Sequence, residues 1–514
     1  MNTHELQQEV SEHLERQNWP AAAVGLRRLV ASDPTDAGVL IQLSYTESFL
    51  GRYRAARDAA IAAAKLPPKA LAVAKDVVTR LRTFNESALL KDYLVRLGPP
   101  SRLPIPLLLT VAAQLSYANE QEAALVWLDE AKRADPDYPG TMLSRAQVLI
   151  YLGRWQEADK ELEACMRRAP EIPELYRLLA QRRKATSDDN HVARIRPLLG
   201  RAQARPMDTV RLAYALHRQL DELGDFAGAW QALDLACRTM RKTLRYAPSD
   251  THALFDALIA MPKLEGAHDA PPGAITPIFI VGMHRSGTTL LEQLVNGSPD
   301  VHGIGESYDF TSAMRYAADH HCKGVLDRRM VERAPMVDFA EVGQRYLDGM
   351  AGRISGKRFL TDKLPSNFHN IGFICAALPQ ARILNLVRNP METCFSNLRE
   401  LFAEANPYSY DQEELADFFL QYRRLMAHWH QLYPGRILDV PYAELTSDPE
   451  PIMRKVAAFC GLEYQAAMCD PRSSKRAVAT ASAVQVREGI IEREVPKWLP
   501  YADALKPLAR ALAQ

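Results

Sequence analysis

The sequence predicts a helical repeat array followed by an α/β domain with a mainly parallel sheet. Three observations predict this fold class. Prolines recur at multiples of 34 residues in the first half, and short β-branched runs alternate with helical stretches in the second half. A glycine-containing loop also joins a buried strand to a helix. We therefore expect an array at residues 1–262, a linker at 263–276 and the α/β domain at 277–514.

The composition is that of an ordinary globular chain. Its 63 Lys and Arg residues nearly balance 62 Asp and Glu residues, so no overall field would attract nucleic acid or an anionic membrane. No window reaches the roughly 18 apolar residues of a membrane-spanning helix, and the polar N-terminus lacks the apolar core of a signal peptide. The seven scattered cysteines contain no CxxC pair and indicate reduced thiols. We expect a cytoplasmic protein without nucleic-acid or membrane partners.

The array prediction rests on four aligned registers. Each register has three marked positions. The first residue is aromatic in three of the four registers, an alanine follows three positions later, and a proline stands fifteen positions after the first residue. The registers are Trp19, Ala22 and Pro34; Tyr53, Ala56 and Pro68; Gln121, Ala124 and Pro136; and Trp155, Ala158 and Pro170. The glycine of an LG turn would end one helix, the alanine would admit a close neighbouring helix, and the proline would stop the second helix.

This pattern resembles the tetratricopeptide repeat, in which pairs of helices stack into a solenoid. Such solenoids present a concave groove to a peptide or protein. The resemblance therefore implies that a protein or peptide binds through the repeat groove, either as the acceptor in a reaction of the second half or as another partner.

The α/β domain begins after a segment that is rich in Pro, Gly and Asp. Four short runs predict its strands, at 277–282, 358–362, 382–387 and 436–440. The first strand enters a loop with the sequence Gly-Met-His-Arg-Ser-Gly-Thr-Thr. This loop has the spacing of the nucleoside-triphosphate loop, but Thr288 stands where that loop has its lysine. The change disfavours an ATPase or kinase and suits a phosphosulfate, which has no third phosphate.

The loop resembles the 5′-phosphosulfate loop of sulfotransferases that use 3′-phosphoadenosine 5′-phosphosulfate. The resemblance implies that this phosphosulfate is the co-substrate, that no metal takes part, and that a set of residues binds it. Those residues are Arg285, Ser286, Gly287, Thr288 and Thr289 in the loop, Arg388 and Ser396 at the 3′-phosphate, Tyr442 near the adenine, and Ser482, Gln485, Arg487 and Lys497 in a C-terminal clamp.

Two further positions resemble the catalytic residues of tyrosylprotein sulfotransferases. Glu306, in SPDVHGIGE, matches the proposed base, and Lys363, in TDKLPSN, matches the lysine that neutralises the leaving group. Histidine is the base of many cytosolic sulfotransferases, so His284, His302 and His369 remain alternative bases.

As a whole, the chain resembles the bacterial tetratricopeptide-repeat sulfotransferases, which implies transfer of a sulfuryl group to an acceptor hydroxyl such as a protein tyrosine. One departure concerns a second arginine, which tyrosylprotein sulfotransferases have twelve residues after the arginine that Arg388 matches. Here Glu400 occupies that position, and Arg399 stands beside it. The alternative function is a repeat scaffold or binding protein whose α/β domain binds a nucleotide without catalysis. The acceptor could also be a glycan or a small molecule.

Overall fold

The computed structural model describes residues 3–68, 70–202, 204–266, 274–354, 356–473, 478, 484, 487, 489–490 and 495–513. Contacts between residues divide the chain into two compact units, which are described separately below. The first unit contains Met1–Pro136 and Ser307–Gly349, and the second contains Asp137–Glu306 and Met350–Gln514.

The first half of the chain is helical. Its helices are α1 (Thr3–Glu15), α2 (Trp19–Ser32), α3 (Ala37–Phe49), α4 (Tyr53–Lys65), α5 (Leu71–Thr83), α6 (Ser87–Leu97), α7 (Ile105–Tyr117), α8 (Gln121–Ala134), α9 (Pro139–Leu152), α10 (Trp155–Arg168), α11 (Pro173–Arg182), α12 (Val192–Arg201), α13 (Pro206–Glu222), α14 (Phe226–Thr243) and α15 (Pro248–Ala260).

The second half alternates strands and helices. Its elements are β1 (Thr276–Gly282), α16 (Thr288–Val295), β2 (Val301–Gly303), α17 (Asp309–Ala317), α18 (Arg328–Arg333), α19 (Phe339–Ala351), β3 (Phe359–Asp362), α20 (Ile371–Ala377), β4 (Arg382–Val387), α21 (Pro390–Leu398), α22 (Gln412–Leu432), β5 (Ile437–Pro441), α23 (Tyr442–Ser447), α24 (Pro449–Cys460) and α25 (Lys506–Leu512).

The repeat registers coincide with helix boundaries. The first residue of each register begins a helix, namely α2, α4, α8 or α10, and each proline follows the end of that helix. The four register alanines have no exposed surface, so a neighbouring helix can approach closely. Gly51 and Gly153 adopt φ of +73° and +75° in the turns, a conformation that favours glycine. The helical first half is confirmed, and its assignment to the tetratricopeptide family remains a resemblance.

In the first unit, residues 307–349 pack on helices of the array. The buried Tyr53 hydroxyl lies 2.8 Å from Ser312 Oγ, and the Arg54 backbone N–H donates to Asp319 Oδ1 at 2.8 Å. The guanidinium of Arg54, on α4, lies 5.1 Å from the centroid of the Tyr316 ring. These contacts attach an inserted segment of the α/β half to α4 and its neighbours.

In the second unit, α13 and α14 pack against helices that follow β4. The Tyr214 hydroxyl donates to the carbonyl oxygen of Leu398, the last residue of α21, at 3.2 Å. Arg241 pairs with both carboxylate oxygens of Glu414 on α22, at 2.7 and 2.8 Å. The end of the helical array therefore belongs to the same compact unit as the sheet.

A five-stranded parallel sheet lies in the second unit, with the strand order β2-β3-β1-β4-β5. The central strand β1 is buried along nearly its whole length. Apolar residues of β1 and β4 form a core with α16 and α24. The α/β prediction and its four strands are confirmed, each strand to within one residue at either end, whereas the sequence did not predict the three-residue strand β2.

The compact units differ from the domains predicted by the sequence. Residues 137–262 group with the sheet, and residues 307–349 group with the first helices. The domain boundary at 263–276 therefore remains a sequence prediction, since compactness follows contacts rather than chain order. Along the described ranges, no helix is both long and apolar enough to cross a membrane.

Candidate functional site

Each strand of the sheet ends at a segment that carries a predicted site residue. The phosphosulfate-type loop follows β1, Lys363 follows β3, Arg388 follows β4 and Tyr442 follows β5, while Glu306 lies three residues beyond β2. Carboxyl ends of parallel strands meet at one edge of a sheet, where α/β proteins bind ligands. The strand order therefore places Glu306 beside Lys363 and Arg388 beside Tyr442, with the loop between the two pairs.

The loop after β1 has an unusual backbone. Gly282, Arg285 and Gly287 adopt φ of +147°, +65° and +112°, and a positive φ is uncommon for a residue with a side chain. The Asn397 side-chain amide of α21 donates to the carbonyl oxygen of His284 at 2.6 Å. A turn that begins and ends at glycine therefore leads into the N-terminus of α16, whose first N–H groups have no partner within the helix.

The loop fits an anionic ligand on two observations. Ser286 is 1% exposed and its Oγ has no hydrogen-bond partner among the described residues, which leaves a buried donor for a ligand oxygen. A Cβ atom on Gly287 would lie 2.6 Å from two ring carbons of Tyr442, so the ring covers this glycine directly. Thr288 and Thr289, at the start of α16, are also buried.

Arg388 and Tyr442 form the side of the site that follows β4 and β5. The Arg388 guanidinium lies 4.3 Å from the centroid of the Tyr442 ring, a cation–π contact. Arg388 donates from Nε to Glu392 Oε2 at 3.0 Å and from Nη1 to the carbonyl oxygen of Arg285 at 3.4 Å. Arg388 is thus held against both the loop and the aromatic ring.

Arg285 connects the loop to α21. Its Nε donates to Ser396 Oγ at 3.4 Å, and its Nη1 lies 3.9 Å from Glu400 Oε2. Burial lowers the pKa of the Arg285 guanidinium, and Glu400 opposes that shift. The two residues predicted at the 3′-phosphate, Arg388 and Ser396, therefore both contact Arg285 of the loop.

These side chains line a cavity of about 220 Å³. Among the predicted residues, the lining includes Arg285, Gly287, Thr289, Arg388, Ser396, Tyr442 and Lys497. It also includes Glu392, Arg399 and Glu400 around α21 and His217, Arg218, Asp221 and Glu222 from α13. Every ligand-binding residue predicted from the sequence lies after position 277, so the contribution of α13 was not predicted.

Glu306 and Lys363 lie on the other side of the loop and form an ion pair. Lys363 Nζ, which has no exposed surface, donates to Glu306 Oε1 at 2.6 Å, while the Glu306 side chain is 36% exposed. The Gly305 N–H donates to Glu292 Oε1 of α16 at 2.9 Å, and the Lys363 N–H donates to the Gly305 carbonyl oxygen at 3.0 Å. The segment that carries Glu306 is thereby tied to both α16 and the end of β3.

The alternative histidine bases are in different surroundings. Burial lowers the pKa of His369 to about 4, and its Nδ1–H donates to the Ser366 carbonyl oxygen at 3.0 Å. Burial also lowers the pKa of His284 to about 4, while the charge of Glu306 raises it and that of Lys363 lowers it further. His302 lies on β2 opposite Leu360 of β3. A histidine with a pKa near 4 is neutral at pH 7 but is a weak proton acceptor.

The predicted C-terminal clamp is only partly described. Ser482 and Gln485 lie outside the described residues. Lys497 lines the cavity, but Arg487 does not belong to the described lining. Arg487 instead donates from Nη2 to the Tyr151 carbonyl oxygen at 2.9 Å and lies 5.5 Å from the Trp155 ring. Both contacts are with the helical array, which a local sequence pattern cannot foresee.

Arg399 lines the cavity. The pattern of the tyrosylprotein sulfotransferases has its second arginine one position later, where this chain has Glu400. Arg399 donates from Nε to His217 Nε2 at 2.9 Å and from Nη2 to Asp221 Oδ2 at 2.5 Å. The Tyr501 hydroxyl donates to the other oxygen of Asp221 at 2.5 Å. In the sequence, His217 and Asp221 resemble the solvated face of an amphipathic helix, and no local signal distinguishes them.

The described ranges contain no group of three or more His, Cys, Asp or Glu side chains arranged to hold a metal ion. The six cysteines described as buried are free thiols, and Cys469 is partly exposed.

One protein-family model matches the part of the chain that contains the sheet. Residues 277–466 match the model described as the sulfotransferase family, a range that includes all five strands of the sheet except Thr276, the first residue of β1. This part of the chain is a sulfotransferase-family domain.

Individual relatives are more distant. The chain is 28% identical over 423 residues to an uncharacterised protein of Aquifex aeolicus, covering 78% of this chain and 54% of that protein. It therefore spans about half the length of this relative. It is 22% identical over 230 residues to a Caenorhabditis briggsae protein provisionally named a protein-tyrosine sulfotransferase, covering 43% of this chain and 80% of that protein. A solved sulfotransferase domain from the Synechococcus PCC 7002 olefin synthase aligns at 18% identity with a TM-score of 0.30, covering 48% of this chain and 98% of that domain.

Proposed function

We propose that this chain, whose residues 277–466 form a sulfotransferase-family domain, transfers a sulfuryl group from 3′-phosphoadenosine 5′-phosphosulfate to an acceptor hydroxyl. The observation that carries the proposal is the order of the strand ends. An acid–base pair, Glu306 with Lys363, lies on one side of an anion-binding loop, and an arginine–aromatic pair, Arg388 with Tyr442, lies on the other.

The donor supplies an activated sulfuryl group and a bisphosphate leaving group. In our proposal, the buried Ser286 hydroxyl and the N–H groups at the start of α16 bind the 5′-phosphosulfate end. Arg388 and Ser396 bind the 3′-phosphate, and the Tyr442 ring supports the adenine. Arg388 suits this role because Nε is held by Glu392, which fixes the orientation of the guanidinium.

Glu306 would act as the general base. The acceptor oxygen forms a bond to sulfur, the bond between sulfur and the bridging phosphate oxygen breaks, and the acceptor proton moves to the Glu306 carboxylate. Lys363 lies 2.6 Å from that carboxylate and is fully buried. In our proposal its positive charge offsets negative charge at the leaving oxygen. A nucleotide-binding scaffold would have no need of this buried ion pair.

We propose a protein tyrosine as the acceptor and the helical array as the part that selects the polypeptide. The match to the Caenorhabditis briggsae protein supports a tyrosine acceptor, because Glu306 and Lys363 both lie in the tyrosyl-enzyme pattern. The helix pairs with a 34-residue period support a polypeptide partner.

The test combines binding and transfer on the full chain. Calorimetry should show tighter binding of adenosine 3′,5′-bisphosphate than of ADP or ATP, at least tens of times tighter if Arg388 pairs with the 3′-phosphate. Labelled sulfate from the phosphosulfate should then appear on tyrosine peptides. Equal affinity for ATP, or bisphosphate binding without transfer to any peptide, phenol or glycan, would contradict the proposed activity.

A further inference from the structure

Helix α13 belongs to the helical array by sequence, yet four of its residues line the same cavity as the loop and Arg388. His217, Arg218, Asp221 and Glu222 occupy positions i, i+1, i+4 and i+5, which lie on one side of a helix. The array therefore contributes one continuous charged surface to this cavity.

We call this surface, formed by His217, Arg218, Asp221 and Glu222, the α13 wall. It is fixed to α21, the helix that carries Ser396. Arg399, at the end of α21, donates to His217 and to Asp221, and the Tyr214 hydroxyl and the Cys237 thiol both donate to the Leu398 carbonyl oxygen. Burial lowers the pKa of His217 to about 3, with Arg399 adding to the shift, so its ring is neutral. A neutral ring can donate from Nδ1 to the Ala229 carbonyl oxygen, at 2.9 Å, and accept from Arg399 at Nε2.

Arg218 of this wall has the same local arrangement as Arg388. Arg388 donates from Nε to Glu392, four residues later, at 3.0 Å, and Arg218 donates from Nε to Glu222, also four residues later, at 3.4 Å. Both arginines line the cavity and are partly exposed, with 22% of the Arg388 side chain and 34% of the Arg218 side chain accessible. The contact through Nε leaves terminal guanidinium nitrogens for an anion, apart from Arg388 Nη1, which donates to the Arg285 carbonyl oxygen.

Several charges act on the buried Arg285 of the loop. Burial lowers the pKa of Arg285, and the charges of Arg218, Arg388 and Arg399 add to that shift, whereas Glu400 opposes it. A bound polyanion would pair with several of these arginines at once and offset their charges.

We infer that Arg218, from the helical array, is a direct binding residue for a phosphate of the bisphosphate nucleotide, and that Asp221 and His217 position Arg399 in the same site. This inference rests on the proposed function. It means that the donor site is built from both the array and the sulfotransferase domain, so the array does more than select an acceptor.

The decisive variant is Arg218→Ala in the full chain, compared with Arg211→Ala. Arg211 lies two turns earlier on α13, has a similar exposure of 35%, pairs with Glu174 and Asp208, and is not part of the described cavity lining. Calorimetry with adenosine 3′,5′-bisphosphate should show affinity about 10- to 100-fold weaker for Arg218→Ala, which is typical for loss of a charge-assisted hydrogen bond. Arg211→Ala should bind with wild-type affinity.

A second variant keeps the inference testable if Arg218→Ala destabilises α13. Glu222→Gln removes a negative charge beside Arg218, while the amide oxygen can still accept the hydrogen bond that the Ala185 N–H donates at 2.7 Å. We expect bisphosphate binding that is tighter than in the wild type. Weaker binding would contradict the inference, because removal of a negative charge should favour an anion.

The outcomes separate this inference from the proposed function. Wild-type affinity for the bisphosphate in Arg218→Ala would overturn the inference and leave the sulfotransferase proposal intact. An increase in the acceptor KM of Arg218→Ala without a change in bisphosphate affinity would also overturn it and would assign α13 to the acceptor. If the wild-type chain fails to bind the bisphosphate at all, both proposals are wrong.

Discussion

The ammonium group of Lys363, with no exposed surface, donates to Glu306 Oε1 at 2.6 Å. A buried charge is retained only when it is well paired, and the partner here is a carboxylate that is one third exposed. Lys363 can therefore stay buried while Glu306 remains accessible to an acceptor, which leads to the first two predictions.

Glu306→Gln should reduce the turnover rate by about 10²- to 10⁴-fold, the usual contribution of a general base, since the amide cannot take the acceptor proton. Bisphosphate affinity should change little, because Glu306 is not part of the described cavity lining. The measurement is labelled-sulfate transfer with calorimetry on the same preparation. His284→Gln and His369→Gln serve as controls, and a folded Glu306→Gln protein with wild-type turnover would exclude this mechanism.

Lys363→Met should also slow transfer, and its effect should not add to that of Glu306→Gln. Residues in direct contact have coupled energetic effects, so the double variant should lose less activity than the product of the two single losses. Turnover of the four proteins forms the double-mutant cycle. Simple multiplication of the two losses would mean that Lys363 and Glu306 act independently.

Arg388→Ala should remove most of the preference for a 3′-phosphate. The affinity ratio between adenosine 3′,5′-bisphosphate and ADP should fall by about 10- to 100-fold, while binding of ADP itself changes less. Arg382 provides a matched control, since it begins the strand that Arg388 follows and lies 6.0 Å from the Phe459 ring. A ratio unchanged in Arg388→Ala, or equally reduced in Arg382→Ala, would contradict the assignment.

Gly287→Ala should abolish tight bisphosphate binding and lower the melting temperature. The added Cβ would lie 2.6 Å from the Tyr442 ring, and φ at this position is +112°. Gly435→Ala is the control, because its φ is +77° but nothing lies within 4 Å of its Cβ. Both variants carry backbone strain of about 1–2 kcal/mol, so the excess loss in Gly287→Ala measures the overlap with Tyr442. Equal melting temperatures would show that the ring moves aside freely.

Buried His217 should make the free energy of unfolding depend on pH. Its pKa is lowered to about 3 in the folded chain, first by burial and then by Arg399, against about 6.5 in an unfolded chain. The unfolded state therefore binds the extra proton, and stability should decrease as the pH falls from about 6 to about 4. One such proton contributes at most about 1.4 kcal/mol per pH unit.

His217→Gln should make this pH dependence less steep, as measured by urea unfolding at several pH values. His284 and His369 have a lowered pKa as well and contribute in the same direction, so the comparison is between slopes rather than absolute stabilities. An identical slope in His217→Gln would mean that the His217 ring is protonated in the fold.

Much of the sheet and the loop could be predicted because their signals are local. Strands β1, β3, β4 and β5 are apolar runs next to turn residues, and the loop has a recognisable spacing. The three-residue strand β2 is too short for any periodicity to indicate it. The α13 wall was missed because a charged helix face that contacts solvent and one that lines a cavity have the same pattern.

The placement of residues 307–349 could not be predicted for a different reason. Tyr53 and Ser312 lie within hydrogen-bond distance although they are separated by 259 positions in the chain. The sequence of each segment indicates that the segment is helical, but it does not indicate which distant segment it contacts. The repeat pattern predicts a helix that contains Tyr53, while the contact of Tyr53 with the inserted segment is a property of the folded chain alone.

The interleaving of the two compact units has a consequence for how this chain can fold during synthesis. Domains usually fold in order as they leave the ribosome, at about 5–20 residues per second. Here the packing surface of Tyr53 cannot be completed until Ser312 and its helix have been translated, after the whole of α9–α15 and the first strands. The first helices would therefore lack their packing against residues 307–349 until that segment has been translated. A chain synthesised only to residue 306 should expose this surface to chaperones and proteases, and extension to 349 should protect it.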